Sequence, residues 1–250
     1  MSSFFNAVFY HPLVNALVVL TSVAPFHDLG IAVIALTVLT RLILFPFSHR
    51  PVQTQYQMKM IEPELQKIRE TIPNKEEQAK ETMALYKRHG VNPFIGILSL
   101  FVQIPVFLAL YNVFSKGAAI DPKVLYPFVS LPAAVHTEFL GLIDLTQRSI
   151  VLAVLAAGAQ FLHMWLTNHF SKSGTKSDFN KALSFQMTYG MPVVVLIVSL
   201  SFPAAVSLYW TTSTIFSIVH EGFVRRSIRR NSLYGTRNDQ NSGARSSPAA

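Results

Sequence analysis

The chain has 250 residues, half of them hydrophobic and only 14% charged, with positive mean hydropathy. That balance excludes an ordinary soluble domain, which would carry roughly twice the charge, and points to an all-α polytopic membrane protein. The lack of cysteine excludes disulfides, thiolate metal sites, cysteine catalysis and a lipidated N-terminal cysteine, while a net charge of +8 matters mainly through where it falls.

Residues 1–28 are apolar but interrupted by Asn6, His11, Pro12 and Asn15, which leaves a clean stretch too short to span; they are expected to form an extracytoplasmic interfacial segment. The first basic residue is Arg41, so this stretch lacks the charged start of a signal peptide. Pro25-Phe26-His27-Asp28 breaks the chain before the first span, 29–48. Its run GIAVIALTVLTRLILFPF carries one full charge, Arg41. At about 1.5 Å per residue the run reaches roughly 27 Å, close to a hydrocarbon thickness of about 30 Å. A guanidinium at that depth costs roughly 3 kcal/mol on insertion scales. Either it snorkels to the near interface or it faces a wet cavity between helices.

Residues 49–92 change character completely, with eight basic and six acidic side chains. Apolar residues recur at helical spacing on both sides of Ile72-Pro73-Asn74-Lys75, which predicts a polar helical hairpin whose first arm is kinked, or started, by Pro63. A second span, 93–115, contains Gln103 and Pro105, both uncommon in lipid. The loop 116–148 has balanced charge and three prolines, with a short surface helix expected within 124–135. Span 3 covers 149–168, a polar linker 169–184, span 4 185–201 and span 5 204–222. His163 and His169 bracket the end of span 3, but a spacing of six does not put two metal ligands on one helix face. Span 5 holds Tyr209, Trp210, Thr211, Thr212 and Thr214 near its middle, away from any interfacial belt. Residues 223–250 form a basic tail expected to be disordered beyond its first turns.

With five spans, seventeen basic residues of hairpin, linker and tail fall on one side and three on the other. The positive-inside rule then places the N-terminus outside and the hairpin and C-terminus in the cytoplasm. No hydrolase motif, phosphate loop, metal motif or intramembrane carboxylate pair is present in the sequence, and Asp28 and Glu221 are read as helix-end residues; the chain is expected not to be an enzyme and to need no cofactor. What remains within the spans is Arg41 among Thr37, Thr40, Gln103 and the polar residues of 209–214. Thr37, four residues before Arg41, shares its face. If these faces converge they make a hydrophilic cationic groove that attracts acidic groups. The competing use of Arg41, as the selectivity charge of a small anion transporter or channel, would be expected to come with inverted repeats or paired broken helices, and no repeat is visible between the halves.

Three stretches carry a resemblance: GIAVIALTVLTRLILFPFSHRPVQTQYQMKMIEPELQKI, YKRHGVNPFIGILSLFVQIPVFLALYNVF and MPVVVLIVSLSFPAAVSLYW. In order and spacing, from about residue 30 to 226, they resemble the core of the YidC/Oxa/Alb membrane protein insertases, in a short bacterial form. The resemblance implies five transmembrane helices enclosing a hydrophilic groove, with a cytoplasmic helical hairpin. It implies that Arg41 is the groove arginine, that Thr37 and Gln103 line the groove, and that Phe107, Tyr209 and Trp210 lie along a substrate slide. It further implies nascent membrane proteins as substrates, taken up alone or with the Sec translocon, in a bacterial cell membrane. Membrane lipids would surround the spans, and the hairpin and basic tail would offer contacts to ribosome or signal recognition machinery.

Overall fold

A computed structural model describes residues 5–45, 54, 57–58, 60–92, 95–116, 118–132, 134–169 and 185–245, with 95–103 and 227–245 described by backbone alone. Pro46 and Phe47 at the end of the first apolar run, most of the 169–184 linker and the end of the tail, 246–250, lie outside the described residues.

The helices are α1 (Asn6–Val23), α2 (Leu29–Ile43), α3 (Glu62–Thr71), α4 (Lys75–Arg88), α5 (Ile95–Phe114), α6 (Ile150–His169), α7 (Gln186–Ser201) and α8 (Ala204–Arg245). Two residue pairs, β1 (Glu138–Phe139) and β2 (Ile143–Asp144), form an antiparallel ladder with Glu138 opposite Asp144. Among the described residues α1 and α6 are long and apolar enough to cross a membrane, while α2 and α7 are shorter apolar helices.

Proline sets the local form of two of these helices. α1 opens with a π-helical turn, Asn6–Tyr10, directly before His11-Pro12, and α7 opens with another, Gln186–Gly190, directly before Met191-Pro192. The wider turn makes room for a residue that has no N–H to donate and whose ring crowds the preceding turn. In the polar pair Pro63 lies in the first turn of α3, where a missing N–H goes unnoticed. α8 continues as helical backbone to Arg245, past the end of the apolar pattern near residue 222; the next proline after Pro203 is Pro248.

α8 packs on α6 and α2, α7 packs on α6, and α1 lies against α2 and α5. Their shared core includes Val14 and Leu17 of α1, Ala32, Val33 and Leu36 of α2, Leu110 and Phe114 of α5, Leu152 of α6, and Ala205, Leu208 and Tyr209 of α8. Asn15 does not interrupt α1, because its amide is bonded inside the fold: Nδ2 donates to the carbonyls of His11 (2.7 Å) and Val124 (2.9 Å), and Oδ1 accepts from Tyr126 N–H (2.7 Å). A buried amide with all these partners costs little.

The 116–148 loop ties together the ends of the helices that leave it. The expected surface helix within 124–135 is replaced, among the described residues, by a short helical turn at Pro122–Val124 followed by irregular chain, since Pro127 and Pro132 interrupt any longer helix. Leu29 N–H donates to His136 O (2.9 Å) and His136 N–H to His27 O (3.2 Å). Asp28 caps α2, accepting from Gly30 (2.7 Å) and Ile31 (3.1 Å), while its second oxygen accepts from Leu140 N–H (2.7 Å) at the ladder's tip. Gly30 is required here, because a Cβ would stand 2.3 Å from a ring carbon of Phe139. The first N–H groups of α8, which have no partner within the helix, donate from Ala204 to Gln147 O (2.7 Å) and from Ala205 to Leu145 O (3.1 Å). α2, α6 and α8 therefore all start at this loop end.

α3 and α4 pack on each other around Ile61, Leu65, Leu85 and Val91. Asn74 caps α4 through Glu76 N–H (2.9 Å), and Gln78 Nε2 reaches back to Arg69 O (3.2 Å), closing the turn between them.

Candidate functional site

Arg41 stands about three turns along α2 from the loop end, at about 3.6 residues per turn. Its Nη2 donates to Ser213 Oγ on α8. The guanidinium is half-buried, and the hydroxyl supplies an acceptor without a counter-charge, so this contact holds the cation in place and leaves its charge intact. One turn further on, the Phe45 ring lies 4.5 Å from the His220 imidazole, with Phe216 6.4 Å from that same imidazole. Ring contacts thus continue the α2–α8 seam beyond Arg41.

The other expected residues divide into two groups. Thr37 is 1% exposed and donates to Val33 O at 2.6 Å, and Thr40 donates to Leu36 O at 2.9 Å, so both hydroxyls turn to their own helix. Thr211 and Thr212 do the same, to Ser207 O (2.8 Å) and Leu208 O (2.9 Å). Hydroxyls satisfied in this way can face lipid or protein at small cost, so a hydroxyl-rich helix face does not by itself require water. Tyr209 is 2% exposed within the core, one turn before Ser213 on the same face. Trp210 is half-buried and its indole N–H donates to Gln160 Oε1 of α6 at 3.4 Å. The Phe107 ring of α5 meets Trp210 edge-on at 6.4 Å and Phe202 at 5.5 Å, and Tyr111 meets Phe202 at 5.1 Å. Phe107 and Trp210 therefore belong to one aromatic cluster, and Arg41 and Ser213 to a separate polar contact. Gln103 lies on α5, but its side chain is outside the described residues.

Composition hid a second polar cluster between α6 and α8. Glu221, read from sequence as a helix-end residue, is 8% exposed. It accepts from Thr167 Oγ1 (2.8 Å), sits 3.2 Å from His163 Nε2, and pairs with Arg225 one turn on. Arg225 also reaches Thr167 O at 3.4 Å. Asn168 Nδ2 donates to Thr188 Oγ1, linking α6 to α7 at the same end. The available signal was the spacing of His163 and Thr167, four apart on one helix face, opposite a Glu–Arg pair also four apart. The His169 ring stacks on Trp165 at 5.0 Å.

An apolar, mostly helical bundle with two helices long enough to cross a bilayer and a cation set into a third has the make-up of a helical membrane protein. Residues 20–231 match the model of the family described as 60Kd inner membrane protein. The chain is 30% identical over 197 residues to membrane protein insertase YidC 1 of Streptococcus agalactiae serotype III, covering 77% of this chain and 66% of that protein. It is 32% identical over 200 residues to membrane protein insertase YidC of Alcanivorax borkumensis, covering 80% of this chain and 31% of that one. Against the YidC of Helicobacter pylori the identity is 28% over 198 residues, or 79% and 33% of the two chains. The chain thus matches just under two thirds of the streptococcal relative's length and about a third of the other two. It belongs to the 60Kd inner membrane protein family, the YidC/Oxa insertase family its motifs resemble.

Proposed function

We propose that this protein is a membrane protein insertase, the activity named in its relatives' descriptions, and a chaperone for its clients, working without nucleotide or cofactor and making or breaking no covalent bond. Five spans, 29–48, 93–115, 149–168, 185–201 and 204–222, would enclose a hydrophilic groove that opens to the cytoplasm. α3 and α4 would stand as a hairpin at that mouth, with the N-terminal segment 1–28 outside and the tail 223–250 inside. The observation that carries this reading is a half-buried guanidinium on an otherwise apolar helix, bonded to a hydroxyl of the neighbouring helix α8.

An incoming segment with an acidic outer tail would pair that tail with Arg41, which lowers the cost of stripping water from the carboxylates. Its apolar part would run along Phe107 and Trp210, backed by the buried Tyr209, and leave sideways into lipid, where hydrophobic transfer supplies the driving force. Gln103 would line the passage, and Thr37, buried one turn before Arg41, would back it rather than face it. Clients would be nascent membrane proteins, delivered by ribosomes or signal recognition machinery through the hairpin and tail, with or without the Sec translocon.

The test is complementation of an insertase-depleted bacterium with insertion of a single-span, acidic-tailed substrate as readout. The unchanged chain should restore insertion. Arg41→Ala should reduce insertion roughly tenfold, equivalent to about 1.4 kcal/mol of lost pairing, and Arg41→Lys should retain most of it. Failure of the unchanged chain to complement would remove the insertase reading; equal insertion by all three would remove the electrostatic step.

A further inference from the structure

The loop end of the bundle exposes large apolar side chains where a loop built for water would carry polar ones. Phe26 is 88% exposed, Phe128 82%, Leu142 82% and Leu140 61%. They are fixed in place. Phe26 and Leu140 have left-handed backbones, φ 56° and 53°, a region that bulky residues seldom occupy without an enforcing context. That context is Asp28, two residues after Phe26, whose carboxylate accepts from the start of α2 and from Leu140 N–H. Phe128 follows two residues after Tyr126, whose N–H is held by Asn15. Strained backbone and buried polar anchors are thus used to hold apolar side chains outward.

What they face follows from depth. The apolar run of α2 begins at Leu29, directly after Asp28. α6 exposes Ile150 and Val151 at its very first residues, so lipid-facing apolar surface begins at the loop's edge. Side chains projecting from a loop clamped at that level meet the boundary between headgroups and acyl chains, the layer that favours aromatic and aliphatic groups on a polar backbone.

We infer that Phe26, Phe128, Leu140 and Leu142 are a bilayer-interface anchor, seated in the headgroup–acyl boundary at the loop end of the bundle. The anchor sets the depth of α2 in the membrane, and with it the depth of Arg41. This inference shares with the proposed function only the premise that α2 and α6 cross the bilayer.

The chain has no cysteine, so single-cysteine variants of the full-length protein can be spin-labelled directly. Labels at Phe26→Cys, Phe128→Cys, Leu140→Cys and Leu142→Cys, in vesicles of phosphatidylethanolamine and phosphatidylglycerol, are compared for collision with oxygen, which enters lipid, and with a nickel chelate, which stays in water. Lys123→Cys on the same loop and Leu155→Cys on the exposed side of α6 serve as references. The four sites should favour oxygen over chelate, at ratios between those of Lys123 and Leu155. Ratios equal to that of Lys123, with Leu155 in lipid, would overturn the anchor and leave the spanning helices standing. Labels shielded from both reagents would mean that protein covers the patch and would overturn it equally. Water-like ratios at Leu155 as well would remove the spanning premise and the anchor together.

Discussion

The two ends of the bundle are held by different kinds of bond. At the loop end, backbone meets backbone: Leu29 to His136, His136 to His27, Ala204 to Gln147 and Ala205 to Leu145, with the Asp28 carboxylate joining α2 to the ladder. Toward the other end, the described ties between α2, α6, α7 and α8 run through side chains: Arg41 to Ser213, Glu221 to His163 and Thr167, Asn168 to Thr188. A backbone tie that parts strands an N–H and a carbonyl that cannot turn to another partner, whereas side chains can change rotamer and partner. One end is joined through the backbone and the other through side chains, and the proposed groove would admit a polypeptide at the second.

Substitutions at each end sharpen or break that contrast, with stability read by unfolding in bicelles and activity as insertion per folded molecule. The largest loss is expected for Asp28→Ala, which strands three N–H groups and should lower stability by about 3 kcal/mol, while Asp28→Asn keeps an acceptor and should lower it by about 1 kcal/mol. Gly30→Ala should follow at about 2 kcal/mol, because the new methyl must displace the Phe139 ring. Glu221→Ala should lower stability no more than Asp28→Asn does, by about 1 kcal/mol, since Arg225 lies near the polar continuation of α8 and can turn to water; its mark should be on insertion, through a looser α6–α8 contact. If Glu221→Ala proved as destabilising as Asp28→Ala, the two ends would be equally locked and the contrast would be lost.

Much of this architecture can be read before any coordinates, because apolar runs between polar breaks are a local property. The runs around Arg41, Gly158 and Val195 each announce a helix. The pairing of Arg41 with α8 was half-legible: the polar run 209–214 marked the right helix, but Ser213, between two threonines, carried no signal of its own. Residues whose meaning depends on distant partners stayed hidden. Asn15 reads as an interruption until Val124 and Tyr126 arrive to satisfy it. Glu221 reads as a helix terminus until His163 and Thr167 face it across the α6–α8 contact. Phe26 and Leu140 look like loop hydrophobics of no consequence until their backbone angles and exposure are known. Hydroxyls mislead in the opposite sense, since Thr37 and Thr212 suggest a wet surface yet bond to their own helices.

The carbonyls of Leu145 and Gln147, which receive the opening N–H groups of α8, also bear on how the molecule is made. They leave the ribosome well before their partners do, so through the synthesis of α6 and α7 the loop end stays incomplete. Only when Ala204 and Ala205 have been translated and brought across can these two acceptors be paired, so a nascent chain halted short of that point would leave the Leu145 and Gln147 carbonyls open.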